Sequence, residues 1–425
     1  MALIRPFKAL RYNEKKISSI KNVCCPPYDI ISQEKQDELY RADEHNIIRL
    51  ELAREEDRYL ASKEYLQKFL QDDILIQDNQ ESLYVYEEEF SAGGSRKKIK
   101  GIICLVRLEE FSKGIILPHE ETLSKAKTDR FNLMKATGCN FSSIYSLYLD
   151  EENVAFPMID GLSRNQAEAE FTDEDGITQR IWAITDTKAI ERLTEVFKDK
   201  KLFIADGHHR YETALNYREY LKEKGIIKDE SHHGNFVMMM LVNMENDGLV
   251  VFPTHRLIRD LKGFHLDSVL EKAKEDFIIE KCFGIDNMEA VLAKKIDQKA
   301  FCLYYGDDAY YIFSLRDENI LLKYFEQNSP AYRGLDVNVL HTLVLDKILG
   351  IDKENMAKQI NLTYTRDILE AINGVKEKKY QCSFILNPTK ISEIKDVSLA
   401  NEKMPQKSTY FYPKLITGLV MNKIL

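Results

Sequence analysis

Several absences narrow the reading of this chain before any motif is named. No window of its 425 residues approaches eighteen consecutive apolar positions, so no membrane-spanning helix is expected. Residues Met1 to Tyr12 hold no apolar stretch followed by a small-residue cleavage site, so no secretory signal is read and a cytoplasmic location is the expectation. The seven cysteines contain no Cys-x-x-Cys pair, which argues against structural zinc and a dithiol redox couple. Cys24 and Cys25 are adjacent and the others scattered, several in apolar runs such as Gly101–Val106. They read as reduced, small hydrophobic residues.

Familiar nucleotide fingerprints are also missing. No Gly-x-x-x-x-Gly-Lys-[Ser/Thr] loop occurs, which removes a P-loop kinase. No Gly-x-Gly-x-x-Gly occurs, which removes the Rossmann and protein-kinase patterns. The net charge is −9, with Lys and Arg interleaved among Asp and Glu rather than gathered on one face, so nucleic acid is disfavoured as the main partner. There is no internal repeat and no long Pro/Gly/Ser linker. Composition is that of a soluble globular protein, and the length allows two or three domains.

The periodicity that is present predicts mixed α/β structure. Helical spacing runs over Asp57–Leu70, Thr122–Ala136, Lys188–Phe197, His208–Lys224 and Val337–Leu349. Strand pairs are expected at Leu83–Phe90 with Lys98–Leu108, at Phe236–Asn243 with Leu249–Phe252, and around Gly306-Asp307-Asp308. Short strands are expected at Gly114–Leu117, Ser143–Tyr148, Arg180–Ile184 and Leu202–Ala205. A division into residues 1–262 and 263–425 is expected, each α/β.

The most informative segment is Ala205-Asp206-Gly207-His208-His209-Arg210 at a strand-to-helix junction. Gly207 permits a positive φ or a close backbone approach. Asp206 can cap the helix. Helix N–H groups and the helix dipole attract an anion, and His208, His209 and Arg210 add donors in the first turn. Asp206 also offers an oxygen to Mg²⁺, the expected cofactor of phosphoryl transfer. The plain alternative is a helix cap with surface histidines. A zinc site is also conceivable, but adjacent histidines on a helix point about 100° apart and no third ligand stands at a familiar spacing.

At these residues the chain resembles the free L-serine kinases, whose fold superfamily includes the chromosome-partitioning protein ParB and sulfiredoxin. Asp-Gly-His-His-Arg is similar to that family's signature turn. Leu117-Pro118-His119-Glu120 resembles its Pro-His-Glu motif. The runs Asn387–Ile394 and Met404-Pro405-Gln406-Lys407-Ser408-Thr409 resemble its C-terminal run. Sulfiredoxin carries a catalytic cysteine in its turn, and this turn has none. The whole chain is also similar to a large bacterial family of unknown function, which pyrophosphate-dependent serine kinases resemble. The shared pieces are Cys25–Ile31, His119–Thr122, Ala205–Ala214, Pro253–Arg256 and Lys407–Lys414.

The resemblance implies a ParB/sulfiredoxin-like catalytic core with an N-terminal extension and a C-terminal lobe that completes the substrate site. It implies a Mg²⁺-dependent phosphotransferase making O-phospho-L-serine, with pyrophosphate favoured over ADP or ATP as donor. Glu120, Asp206 and His209 are the implied catalytic residues. Gly207, His208, His209 and Arg210 would hold the donor phosphates, and His119, Lys407, Ser408 and Thr409 would contact substrate or phosphate. Two further candidates are less determined. Thr254-His255-Arg256 follows an expected strand and is either a basic substrate-binding cluster or a surface turn. Asp29, after Pro26-Pro27-Tyr28, is either a helix cap or a substrate contact. Asp129-Arg130 reads as an ordinary ion pair, His232-His233 as inert, and Trp182 as core. The alternatives are a ParB-like nucleotide-binding switch and a phosphate-ester or pyrophosphate hydrolase.

Overall fold

The computed structural model describes residues 2–122 and 124–425. Leu123, inside the helix expected from Thr122, lies outside the described residues, and that helix runs Ser124–Thr137. The fold is α/β. The chain forms two compact units: Met1–Pro118 with Thr122–Val250 and Pro413–Leu425, and His119–Glu121 with Val251–Tyr412. The expected division at 262 thus differs from the observed one. The second unit starts at Val251 and takes in His119–Glu121, with the His and Glu of the Pro-His-Glu motif, while the chain's last residues return to the first unit.

The first unit is built on a nine-stranded sheet. Its strands are β1 Ile4–Arg5, β2 Leu83–Ala92, β3 Ser95–Arg107, β4 Ile116–Leu117, β5 Ile144–Tyr148, β6 Ala169–Thr172, β7 Thr178–Ile184, β8 Leu202–Asp206 and β9 Phe236–Asn243. Their order is β4-β8-β5-β9-β3-β2-β7-β6, with β1 beside β3. The β4/β8 and β5/β9 pairs are parallel. The β2–β3 hairpin closes on Gly93 and Gly94, both at positive φ, with Ala92 opposite Ser95. That two-residue turn matches the strand twist. Ile102, Cys104, Ile144, Ile204, Met239 and Leu241 form the sheet's main apolar face. The helices Ser124–Thr137 and His208–Glu223 pack together beside it.

One expected hairpin does not form. Phe236–Asn243 pairs with β3 and β5, not with the strand of residues 250–252, which pairs with Tyr410–Tyr412. Every residue of β9 is buried. A strand so apolar is best satisfied between two neighbours, which leaves it no edge for a hairpin partner.

The second unit carries a six-stranded antiparallel sheet. Its strands are β10 His255–Ile258, β11 Phe277–Phe283, β12 Ala300–Tyr304, β13 Ala309–Leu315, β14 Leu362–Thr365 and β15 Cys382–Leu386. Their order is β11-β13-β12-β15-β10-β14. The hairpin expected at Gly306-Asp307-Asp308 joins β12 to β13. The helix expected over Val337–Leu349 is an α-turn, Asp336–Val339, running into wider π-helical turns over Leu340–Asp346.

Candidate active site

In the first unit, strand β8 ends at Asp206 with an irregular register against β5 after Ile204. Gly207 follows at φ 99° and opens the helix His208–Glu223. Only glycine suits this position. A Cβ there would sit 2.9 Å from Arg210 Nε, and the backbone region itself disfavours side chains. The helix cap is therefore Gly207, which offers no side-chain acceptor, and Asp206 does not take the capping role its sequence suggested.

The Asp206 carboxylate faces two cations instead. Oδ1 accepts from Lys414 Nζ, and Oδ2 accepts from Arg210 at 2.5 Å. Burial alone would push this carboxyl up. Lys414, then Arg210, and then His208 outweigh burial and hold it well below the ordinary range. Arg210 also donates to the Ser143 carbonyl, so its guanidinium is folded back over the turn. His208 is buried and His209 half-buried. Lys414 was not singled out from the sequence as a site residue. It lies in the Lys407–Lys414 run, but nothing local marks a lysine after Pro413 as the partner of a carboxylate 208 residues earlier.

A buried charge cluster adjoins the turn. Arg130 is 5% exposed, pairs with Glu51 at 2.9 Å and Asp129 at 2.6 Å, and stacks over Tyr28 with its guanidinium 4.0 Å from the ring centroid. Glu51, Arg130, Arg210 and Thr213 line one small cavity. The Asp129–Arg130 pair is thus part of a buried network rather than a simple helix-surface pair. Asp29 lies exposed in a 3-10 turn, close enough to influence Glu51 and Tyr28. It does not cap the next helix. Ser32 does, accepting from Lys35 N–H.

In the second unit, the Pro-His-Glu motif and the C-terminal run meet. Met404 N–H donates to the His119 carbonyl at 2.7 Å, and His119 Nε2 lies 2.9 Å from Thr409 Oγ1. Lys407 N–H donates to Glu120 Oε1 at 2.8 Å. Lys407 reaches this geometry at φ 60°, an uncommon conformation for lysine. Its side chain is exposed, while Ser408 is buried and donates to the Pro405 carbonyl at 2.6 Å.

Thr254-His255-Arg256 is not a surface turn, for all three residues are buried. His255 Nδ1 accepts from Leu386 N–H at 3.3 Å. Burial and then Arg256 push its pKa down to about 4, so the ring is neutral at physiological pH. Arg256 donates to His341 Nε2, to the Thr254 carbonyl and to the Lys407 carbonyl. The Tyr364 ring lies 5.5 Å from its guanidinium. His341, held in the π-helical turn, is kept neutral by burial and then by Arg256. Trp182 is buried as expected, donating to the Asn165 carbonyl at 2.8 Å.

No cluster of three or more metal-ligating His, Cys, Asp or Glu side chains occurs among the described residues, and no described helix is long and apolar enough to cross a membrane.

An α/β chain with these two clusters falls within a recognised family. Residues 4–338 match the family described as Protein of unknown function (DUF1015), and the chain belongs to it. No curated protein matches the chain. Among solved structures it is similar to a free serine kinase in complex with AMP, at 13% identity and TM-score 0.37 over 75% of this chain and 91% of that one. It is also similar to a conserved hypothetical protein from Pyrococcus furiosus, at 13% identity and TM-score 0.36 over 76% and 95%. A C-terminally truncated SbnI from Staphylococcus aureus gives 12% identity and TM-score 0.35 over 76% and 87%.

Proposed function

We propose that the chain is a phosphotransferase that moves a phosphoryl group to the hydroxyl of free L-serine, with pyrophosphate favoured over ADP or ATP as donor. The observation that carries this reading is the Asp206–Arg210 turn. There a positive-φ glycine opens a sixteen-residue helix while Arg210, Lys414 and His208 surround one carboxylate. A helix N-terminus with cations converging on it favours phosphate oxygens. Arg210, once released from Asp206, can grip two of them at once.

Glu120 is the proposed general base. A serine hydroxyl ionises far above neutral pH, so a carboxylate that takes its proton as attack proceeds lowers the barrier. The hydrogen bond from Lys407 N–H helps to fix the orientation of that carboxylate. His119, held against Thr409, fixes the backbone leading to Glu120. His209 completes the proposed catalytic set at the donor turn. Mg²⁺ would neutralise charge on the donor phosphates. Both Asp206 oxygens are taken by Lys414 and Arg210, so Asp206 would meet a magnesium ion only after one of these cations had moved to the phosphates.

The test is an assay for O-phosphoserine after incubation with Mg²⁺, L-serine and, in turn, pyrophosphate, ADP and ATP. One donor is expected to yield O-phosphoserine, and Glu120→Gln is expected to lower the yield at least a hundredfold. Donor breakdown without phosphoserine would point to a hydrolase. Nucleotide hydrolysis stimulated by DNA would point to a ParB-like switch.

A further inference from the structure

The carboxylate proposed as base leans on an uncommon stretch of backbone. Lys407 takes φ 60°, a left-handed conformation that a residue with a Cβ rarely adopts. Its N–H donates to Glu120 Oε1 at 2.8 Å, and its carbonyl accepts from Arg256 Nη2 at 3.3 Å. One residue in a disfavoured conformation thus stands between a carboxylate and a buried guanidinium.

Arg256 is anchored twice over. Its backbone is fixed in β10, between β14 and β15, with Tyr364 and Phe384 opposite it. Its side chain is 1% exposed, and each of its nitrogens donates: Nε to His341 Nε2 at 3.2 Å, Nη1 to the Thr254 carbonyl, and Nη2 to Lys407. A guanidinium is planar and rigid, so holding Nε and Nη1 aims Nη2 in one direction. Burial pulls its pKa down to about 10, which leaves it charged at neutral pH. A buried cation on neutral acceptors is a costly way to fill a core. His341 is the side chain that orients it. Its ring is buried and held neutral, so Nε2 keeps a lone pair to offer. It sits in the π-helical turns Leu340–Asp346, a geometry that recurs at functional sites.

We propose that His341 and Arg256 are positioning residues for Glu120. They hold Lys407 in its left-handed conformation and so keep its N–H aimed at the carboxylate. A reacting group is placed well only when the residues behind it are themselves locked, and here the lock is a central strand and a buried imidazole. The proposal rests on the phosphotransferase reading for the role of Glu120. It moves Arg256 from the substrate contacts implied by resemblance to the support of the base, and it gives His341 a role that no motif suggested.

Carbon-13 labelling of the glutamate carboxyls in the full chain tests it without any phosphoryl donor. The Glu120 signal is assigned by its loss in Glu120→Gln and titrated by NMR. The Lys407 N–H favours the ionised carboxylate, so loosening it should raise the Glu120 pKa. Arg256→Met and His341→Leu are each expected to raise it by about 0.5–1 pH unit. His341→Gln keeps an acceptor near the Nε2 position and should restore most of the wild-type value. The other titratable groups about Glu120 are its neighbours His119 and Glu121, Lys407 itself, and Tyr364 of β14, whose phenol feels both Arg256 and Glu120. With the donor that yields O-phosphoserine, Arg256→Met and His341→Leu should lower kcat about tenfold and move the acid limb of its pH profile upward, with the serine KM within about threefold of wild type.

An unchanged Glu120 pKa in both variants overturns the proposal. So does equal behaviour of His341→Gln and His341→Leu. A rise in serine KM with kcat unaltered also overturns it, since Arg256 would then be a substrate contact. If both variants unfold by circular dichroism, the wild type decides. Its Lys407 amide should exchange its proton at least about a hundredfold more slowly than an open chain, and exchange at the open-chain rate refutes the clamp. Absence of phosphoserine with every donor would retire the phosphotransferase reading alone, because the Glu120 titration needs no turnover.

Discussion

Asp206 sits between Lys414 and Arg210, with side chains only 11–15% exposed across the three. Removing one member of such a buried group strands the others and costs about 3–5 kcal/mol. Asp206→Asn is therefore expected to lower the urea midpoint clearly. The pH dependence has a defined sign. The folded carboxyl is depressed, so its contribution is complete above its unfolded value of about 3.9 and drains as pH falls below that. The gap in stability between wild type and Asp206→Asn should then narrow from pH 6 to pH 3, measured by urea unfolding at each pH. Gly207→Ala forces a Cβ into a left-handed position against Arg210 and should cost roughly 1–3 kcal/mol. It should raise the donor KM more than the serine KM. The glycine and its neighbours were legible in the sequence because a strand, a flexible residue and a cationic first turn follow one another directly. Lys414, Glu51 and Arg130 were not, because their partners are set by tertiary packing and lie far away in the chain.

Within the sheet, β2 carries an acid that the fold pays to bury. Glu88 is fully buried, its Oε1 accepts from Tyr86, and its Oε2 finds no partner. Burial raises its pKa to about 8, with Asp173 adding to the rise and the Tyr86 hydrogen bond opposing it. Here the folded state keeps a proton that the unfolded chain releases at about 4.3, so stability falls as pH climbs from there to about 8. Glu88→Gln has the same shape and no charge to lose. It should raise the melting temperature at pH 8 and change it little at pH 4.5. The elements differ in how much of them could be read from sequence. The Gly93-Gly94 hairpin was legible since its turn chemistry is local. Asn246-Asp247-Gly248 carries equally good turn chemistry, but partner choice for Phe236–Asn243 is decided by burial on both faces. The wide helical turns around His341 had no sequence signal beyond an ordinary helix.

At the scale of the whole molecule, the chain does not divide at one point. Residues 413–425 belong to the first unit, where Asn422–Lys423 pairs with Cys139–Asn140, Thr417 pairs with Cys25, and Lys414 reaches Asp206. A fragment of residues 1–262 lacks all three contacts. It should be cleaved by a protease at least tenfold faster than the same region in the intact chain, and adding a peptide of residues 413–425 should slow that cleavage. Resemblance brought the three motifs to attention, and the fold places His119 and Glu120 with Lys407 and Thr409 in one unit and Asp206 with Arg210 and Lys414 in the other. The most direct measurement of what they do is a phosphorus NMR time course with L-serine, Mg²⁺ and each donor. The expected result is a phosphomonoester resonance coupled to the serine β-protons that grows as the donor decays. Donor decay to inorganic phosphate alone, or no decay with any donor, would contradict it.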